Sequence, residues 1–463
     1  MRVKRKFIIQ QFVLVGVLSA LFGCGGSGGG GSTDVSNVNG DSSIVHGIWK
    51  SECFGDSENI IEYFVFDNGN VHIDTRYYNL SDTACSGAPY DSSPIEGTYE
   101  IGNSLTSTQG MQVSTIDLYL EKGSQKQTLR SVVHIDNNKM HFGSWLNGEG
   151  KRPETLNLDN TRVKLGEVKQ LANIKYNVLG EIDFPNVQNA WYSLDVKDNL
   201  VFVTNRFTLY IIDVSDTLLP KVISSYDSEY AGLPVAVGNY VYLFSDSSGV
   251  EIVDVTDETT PVGKGIFNIE SSHWQSQVTL KDNYLFIGHN LLFSIIDVSN
   301  PLSPKKIGSY DAQYSINAID VTGDIAVLNG NRIAIVDISD KYNPHLLSYS
   351  QDLTYTYGNG VVVKDNRIYS KGLVLNIEDP FNSFIEGWIG DYHRSNYTFI
   401  NNYLVSYWQG LEVFDVSNSA YPRLVDSNKD GFRLDLVEAN DLIFQVGWFY
   451  TKYSLQILQI DNN

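Results

Sequence analysis

Two regimes of alternation divide this chain. Between residues 45 and 165, apolar and polar residues alternate in short runs: IIEYFVF, NVHIDTRYY, IEGTYEIG, STIDLYLE, LRSVVHID, KMHFG and TLNLDNTRVKL. Turn signals separate them at Asp67-Asn68-Gly69-Asn70, Ile101-Gly102-Asn103 and Asp136-Asn137-Asn138. A period of two puts one row of side chains inside and the other in water. Seven or eight such runs predict a small antiparallel barrel or sandwich. From about residue 170 the alternation acquires a longer period. An often Pro-led strand (PKVISSYD, PVGKGIFNI, PKKIGSYD) is followed by a loop, then by a strand ending at a turn (VAVGN, VTLKDN, IDVTGD), then by an aromatic and aliphatic strand (YVYLFS, YLFIGH, IAVLNG). The cycle closes on a phrase strand: IIDVSDTLLP, IVDVTDETTP, IIDVSNPLSP, IVDISDKYNP, VLNIEDPFNS, VFDVSNSAYP and a degraded ILQIDNN.

The phrases centre on Asp213, Asp254, Asp297, Asp337, Asn376, Asp415 and Gln459, at intervals of 39 to 44 residues. Four short strands in such a period make a propeller blade, and seven phrases predict seven blades. The array is offset at its ends. NVLGEID, residues 177–183, reads as an outer strand with no blade before it, while LQILQI, residues 455–460, is a phrase strand with nothing after it. The N-terminal strand is therefore expected to complete the last blade, closing the ring and removing a sheet edge. The fold class expected is all-β: a seven-bladed propeller over 170–463, preceded by the small β-domain over 45–165. The repeated Asp and the Ser or Thr after it are expected to bond backbone in the turn that leaves the phrase strand.

Composition supports β-structure, with 28 Tyr and 21 Phe but only 3 Met. A formal charge of −21, with no basic stripe among the aromatics, argues against a nucleic-acid partner. Arg2, Lys4, Arg5 and Lys6 precede a mostly apolar stretch from Phe7 to Phe22, which reads as a secretory signal rather than a spanning helix. That stretch ends in Leu21-Phe22-Gly23-Cys24, and the Gly/Ser-rich run after it reads as a flexible tether. Cleavage before Cys24 would take the formal charge from −21 to −25. Cys53 and Cys85 remain, and two cysteines in an exported domain read as one disulfide. Its loop closure of about 30 residues is worth about 3 kcal/mol in the loop-entropy account.

Three resemblances extend this reading. The Leu21–Cys24 tetrapeptide resembles the lipobox of bacterial lipoproteins. That resemblance implies residues 1–23 as a removed signal, a lipid on Cys24, a tether over 24–44 and, since Gly25 is not Asp, an outer-membrane or cell-surface address. The Gly47-Ile48-Trp49 start, followed by up-and-down strands, resembles the lipocalin-like domains of bacterial secreted proteins. The tandem phrases resemble the LVIVD repeat of bacterial surface and secreted propellers. This last resemblance implies a fold and an exported setting without implying an activity.

Candidate chemistry is sparse. The loops entering the innermost strands bring aromatic and polar residues to the channel mouth: Trp191, Tyr230, His273, Trp274, Tyr314, Tyr357, Tyr392, His393, Arg394 and Phe432. Such a ring suits stacking on a sugar or gripping a protein loop, and it equally suits filling the wedges between blades. Asp426, Asn428 and Asp430, followed by Gly431, have the opening of a calcium loop, but Val437 stands where the distal carboxylate belongs. No other cofactor is implied. No nucleophile elbow, H-E-x-x-H pair or phosphate-cradling loop occurs. The reading is a lipid-anchored, non-enzymatic binding module acting on a protein or glycan. Its alternatives are a hydrolase or lyase working in the funnel, and a carrier of a small apolar ligand in the N-terminal barrel.

Overall fold

The computed structural model describes residues 42–462 except 56–57, 124, 148–151, 169–173, 186–191, 245–248, 269–276, 351–359, 390–395, 408–409, 429–431 and 450–451. The chain divides into two compact units, residues 1–170 and 171–463.

The first unit is an antiparallel barrel of β1 (Gly47–Ser51), β2 (Asn59–Asp67), β3 (Asn70–Tyr78), β4 (Asp91–Thr106), β5 (Gln112–Lys122), β6 (Gln125–Asp136), β7 (Lys139–Gly143) and β9 (Leu156–Gly166). A two-residue β8 (Leu146–Asn147) pairs at the side of β6. Each strand pairs with its neighbours, and β9 returns to β1, so the sheet has no free edge. Two of the turn signals are tight hairpins. Asn68 and Gly69, and likewise Asn137 and Asn138, hold positive φ between the closing pairs Asp67–Asn70 and Asp136–Lys139. The third is not a turn. Ile101-Gly102-Asn103 lies within β4, where the register against β5 slips between Ile101 and Ser104. This is a β-bulge, which uses the same small and polar residues as a turn but bends one long strand instead of ending it.

Trp49, Phe64, Phe66, Tyr99, Phe142 and Trp145 fill the barrel interior. Phe66 meets Tyr99 edge-on at 5.0 Å, and Phe142 lies 4.8 Å from Trp145. The Trp49 indole N–H donates to the Val45 carbonyl at 2.7 Å, so the ring is buried without an unmet donor. One ion pair shares this interior. Arg162 reaches Glu62 at 2.7 Å and lies 4.7 Å over the Phe64 ring, with side chains only 2% and 1% exposed. Outside, the Cys53–Cys85 disulfide and the Asn59 amide, which donates to the carbonyls of Asn79, Leu80 and Asp82, hold the β3–β4 connection.

The second unit is a ring of seven four-stranded sheets. Their innermost strands are Ser193–Lys197, Leu233–Val237, Gln277–Lys281, Ala318–Thr322, Val361–Lys364, Asn396–Ile400 and Phe432–Ala439, for blades one to seven. Blade seven takes its outermost strand from the start of the unit. Ile174–Phe184 pairs antiparallel with the C-terminal Lys452–Asn462, from Ile174–Asn462 to Phe184–Tyr453. The offset in the array is thus resolved by closure of the ring.

The phrase residues act as expected. The backbone N–H groups of Ser215, Thr256, Ser299, Ser339, Glu378 and Ser417 each donate to the Oδ1 two residues earlier, at 2.7–2.9 Å. Asn376 does this as well as an aspartate because the turn needs only one acceptor oxygen. Those bonds lead in holding the Asp213 and Asp297 carboxyls below their ordinary pKa; at Asp337 the Ser339 hydroxyl and then its N–H do so, and at Asp254 the Thr256 hydroxyl, its N–H and Lys264 bring the carboxyl to about 2. A second turn of the same type follows at Asp216, Asp257, Asn300, Asp340, Asp379 and Asn418. Every outer strand carries a bulge, and in blades one, three, four, five and seven a small residue beside it backs onto the next blade's turn. A Cβ on Gly387 would stand 2.0 Å from the Ser419 carbonyl, and one on Gly308 would stand 2.1 Å from that of Lys341. Where the residue is Ser224 or Ser348, its hydroxyl donates to the equivalent carbonyl at 2.5 Å.

Candidate functional site

The innermost strands of all seven blades wall a central cavity of about 660 Å³. Aliphatic residues make up more than half of the lining residues, but polar groups give the larger share of its surface. The polar exceptions follow a rule that no sequence repeat announced. In blade one, the Asp195 carboxylate accepts the N–H of Val196 on its own strand at 2.8 Å and that of Ala236 on blade two at 2.7 Å. In blade four, Asp320 accepts from Val321 at 2.7 Å and from Val363 of blade five at 2.6 Å. In blade seven, Asp435 accepts from Leu436 at 2.9 Å, and from Leu194 of blade one at 3.1 Å. The Ser193 hydroxyl adds a bond to Asp435 at 2.5 Å. Each aspartate is a latch across a blade junction, and the one at Asp435 clamps the junction where the ring closes.

Other side chains repeat the theme with opposite polarity. The Thr279 hydroxyl donates to the Ile319 carbonyl of the next blade at 3.1 Å. At the far ends of alternate innermost strands, the ammonium of Lys197 donates to Gly238, that of Lys281 to Val321 and that of Lys364 to Asn401. Nearer the mouth, the buried Ser370 hydroxyl donates to the Gly360 carbonyl at 2.7 Å. Lys371, only 2% exposed, reaches across from blade five to the Gly330 carbonyl of blade four at 2.6 Å. Burial holds its ammonium down at about 8.

Electrostatics follows from this packing. Burial raises Asp195 to about 6, a rise to which the nearby Asp435 charge adds, while the two N–H bonds hold it down. Burial also raises Asp320 and Asp435. Tyr407 stands 3.4 Å from Asp435 and takes a bond from the Asn396 amide at 2.9 Å; burial first, and then the Asp435 charge, push its phenol well above the ordinary value. A general acid or base needs an oxygen free to meet substrate. Both oxygens of Asp195 and both of Asp320 already accept backbone N–H bonds.

A pH dependence follows. The folded Asp195 pKa, about 6, lies above the ordinary 3.8, so the stability linked to this group is fully present below 3.8 and is lost as pH rises through about 6. The loss is at most about 3 kcal/mol, because the side chain keeps some contact with channel water. Urea unfolding of the wild type and of Asp195→Asn, compared at pH 4 and pH 7, is expected to shift in favour of the variant at the higher pH. An unchanged difference would mean that the carboxylate titrates at its ordinary value.

The expected mouth residues are only partly in view. Trp191, His273, Trp274, Tyr357, Tyr392, His393 and Arg394 lie outside the described residues. Tyr230 and Phe432 stand at strand ends, where the backbone alone is described. Tyr314 is placed by packing: half-buried, it donates its hydroxyl to the Leu328 carbonyl at 3.1 Å, and its ring meets Tyr349 edge-on at 6.4 Å. Asp426 and Asn428 lie in the outermost strand of blade six, paired with Val413 and Leu411. Asp430 is outside the described residues. Cys24 is outside them too. The latches Asp195, Asp320 and Asp435 were not anticipated. Their signal is an acid within an otherwise aliphatic strand, in SLDVK, AIDVT and RLDLV.

These features define a seven-bladed β-propeller repeat protein whose channel suits a binding or interaction role. Residues 235–269, 275–312, 318–350 and 396–430 match the LVIVD repeat, so the chain carries LVIVD repeats in blades two, three, four and six. Among solved structures, it is similar to the computationally designed Ika8 protein, with 13% identity, covering 72% of this chain and 94% of that one at a TM-score of 0.41. It is also similar to a chain of the Mitotic Checkpoint Complex, with 12% identity, covering 61% and 93% at a TM-score of 0.47. No curated protein matches the chain.

Proposed function

We propose that this is an exported, lipid-anchored protein that binds a protein or glycan at the mouth of its propeller channel. The observation that carries the reading is the channel itself. About 660 Å³ of space is walled by all seven blades, and its aspartates are committed to holding the ring together. A funnel that mixes aliphatic walls with polar groups such as Gln277 and Asn396 suits recognition. The anchoring half of the proposal rests on the Leu21–Cys24 lipobox-like sequence and the Gly/Ser tether. The Cys53–Cys85 disulfide accords with an oxidising compartment. The filled barrel interior favours a supporting role for the first unit over carriage of an apolar ligand.

The test is a glycan array and a cell-surface-protein pull-down with the soluble chain from residue 40, beside a Trp274→Ala/Tyr392→Ala variant. Stacking aromatics at a binding site are worth about 2 kcal/mol or more each. Binding is therefore expected to fall at least about thirtyfold in the variant. Binding that survives intact would move the site to the barrel or to the outer faces of the blades.

A further inference from the structure

The β6–β7 hairpin of the barrel places two imidazoles in register. His134 and His141 stand directly opposite one another across the pair. Both face outward, since their neighbours Val133, Ile135, Met140 and Phe142 belong to the interior. Both are half-buried, which keeps the rings in contact with water while limiting their rotamers.

Their hydrogen bonds orient them. The His134 Nδ1–H donates to the Gln112 carbonyl on β5 at 2.7 Å. His141 Nδ1 lies 3.4 Å from the Thr161 hydroxyl on β9, and that hydroxyl donates to the Leu158 carbonyl at 3.3 Å, leaving its oxygen to accept. In the sheet the order is β5-β6-β7-β9, so the two Nδ1 contacts lie on opposite flanks of the histidine pair. An imidazole carries Nδ1 on one side of its ring and Nε2 on the other. Each Nδ1 is thus engaged on the flank away from the partner ring, which leaves Nε2 as the nitrogen of each ring that these contacts do not use. A ring that donates Nδ1–H to an oxygen and offers Nε2 is the arrangement metal-binding histidines adopt.

We infer that His134 and His141 form a surface site for one divalent transition-metal ion, held by the two Nε2 atoms. Among the described residues no group of three His, Cys, Asp or Glu side chains converges on such a site, so water completes the coordination. Two imidazole ligands select borderline ions, in the order Cu²⁺ above Ni²⁺ and Zn²⁺, and discriminate against Mg²⁺ and Ca²⁺. A bound ion cross-links β6 to β7 and, because it binds only the folded hairpin, stabilises the barrel.

The test is titration of the full chain with Cu²⁺, Ni²⁺ and Mg²⁺, with His134→Asn, His141→Asn and, as a control, His72→Asn. One Cu²⁺ per chain is expected, with two nitrogen ligands in its electron paramagnetic resonance spectrum. Either Asn variant is expected to weaken binding at least about tenfold and to leave one nitrogen ligand, while His72→Asn retains wild-type binding. All three variants lie on the barrel surface, and their circular dichroism confirms that they are folded before titration. Equal affinity in wild type and both hairpin variants, an equal loss in His72→Asn, or a one-nitrogen spectrum in the wild type would each overturn the assignment.

Discussion

A chain lacking residues 174–184 is expected to lose its propeller. That segment supplies the outermost strand of blade seven, paired along its whole length with Lys452–Asn462. Without it the C-terminal strand becomes a long, bare edge, and the ring loses the strand pairing that joins the start of the unit to its last blade. The Asp435 latch to Ser193 and Leu194 would remain at the same junction, but a few hydrogen bonds do not replace a strand. The deletion removes more than the ~5 kcal/mol that marks the lower range of domain stability, so near-ultraviolet circular dichroism should show lost tertiary packing and gel filtration should show aggregates. A synthetic peptide of residues 174–184 should restore part of the native signal by strand addition, since the vacant edge keeps its hydrogen-bonding pattern. A monomeric deletion chain with a wild-type unfolding transition would show that closure does not depend on this strand.

The second large effect lies inside the barrel. Arg162 and Glu62 form an ion pair with almost no exposure, reached by residues a hundred positions apart. Removing one member strands the other's charge among Phe64, Phe142 and the aliphatic interior. Arg162→Met is therefore expected to cost the barrel about 3–5 kcal/mol, and Glu62→Gln a similar amount. The double variant Glu62→Leu/Arg162→Met should recover most of that loss, because desolvation of the pair offsets much of its attraction in the wild type. Denaturant unfolding of the wild type, Arg162→Met, Glu62→Leu and the double variant gives the coupling energy. Single-variant costs below about 1 kcal/mol would mean that water reaches the pair.

What the sequence disclosed and what it withheld divide along physical lines. The blades were legible because their signal repeats: seven copies of one strand-and-turn phrase average out local noise, and the unmatched ends at 177–183 and 455–460 foretold the closing strand. The Asp213-type turns were legible because a short side chain two residues before a free N–H has only one common use. Latches at Asp195, Asp320 and Asp435 escaped notice because they occur in three blades and not in the other four, so no period marks them. A single acid within an aliphatic strand looks like a solvent-facing residue until the ring brings the next blade's N–H against it. Gly102 misled for a related reason, since a bulge and a turn draw on the same residues and only pairing across β4 and β5 separates them. The Glu62–Arg162 pair was invisible because its partners meet only after the barrel closes. Of the aromatic mouth, Tyr314 bonds to the Leu328 carbonyl and packs against Tyr349.

Photo-cross-linking from two positions of the soluble chain tests binding at the channel. A photoreactive residue replaces Gln277 in the channel wall, or Ile266 on the outer strand of blade two, where the side chain is 58% exposed. Each protein is then irradiated with the glycans or surface proteins it retains. Binding at the propeller mouth predicts adducts from position 277, absent in the Trp274→Ala/Tyr392→Ala background, and none from position 266. Adducts from position 266 alone, or adducts from 277 that persist in the aromatic variant, would contradict it.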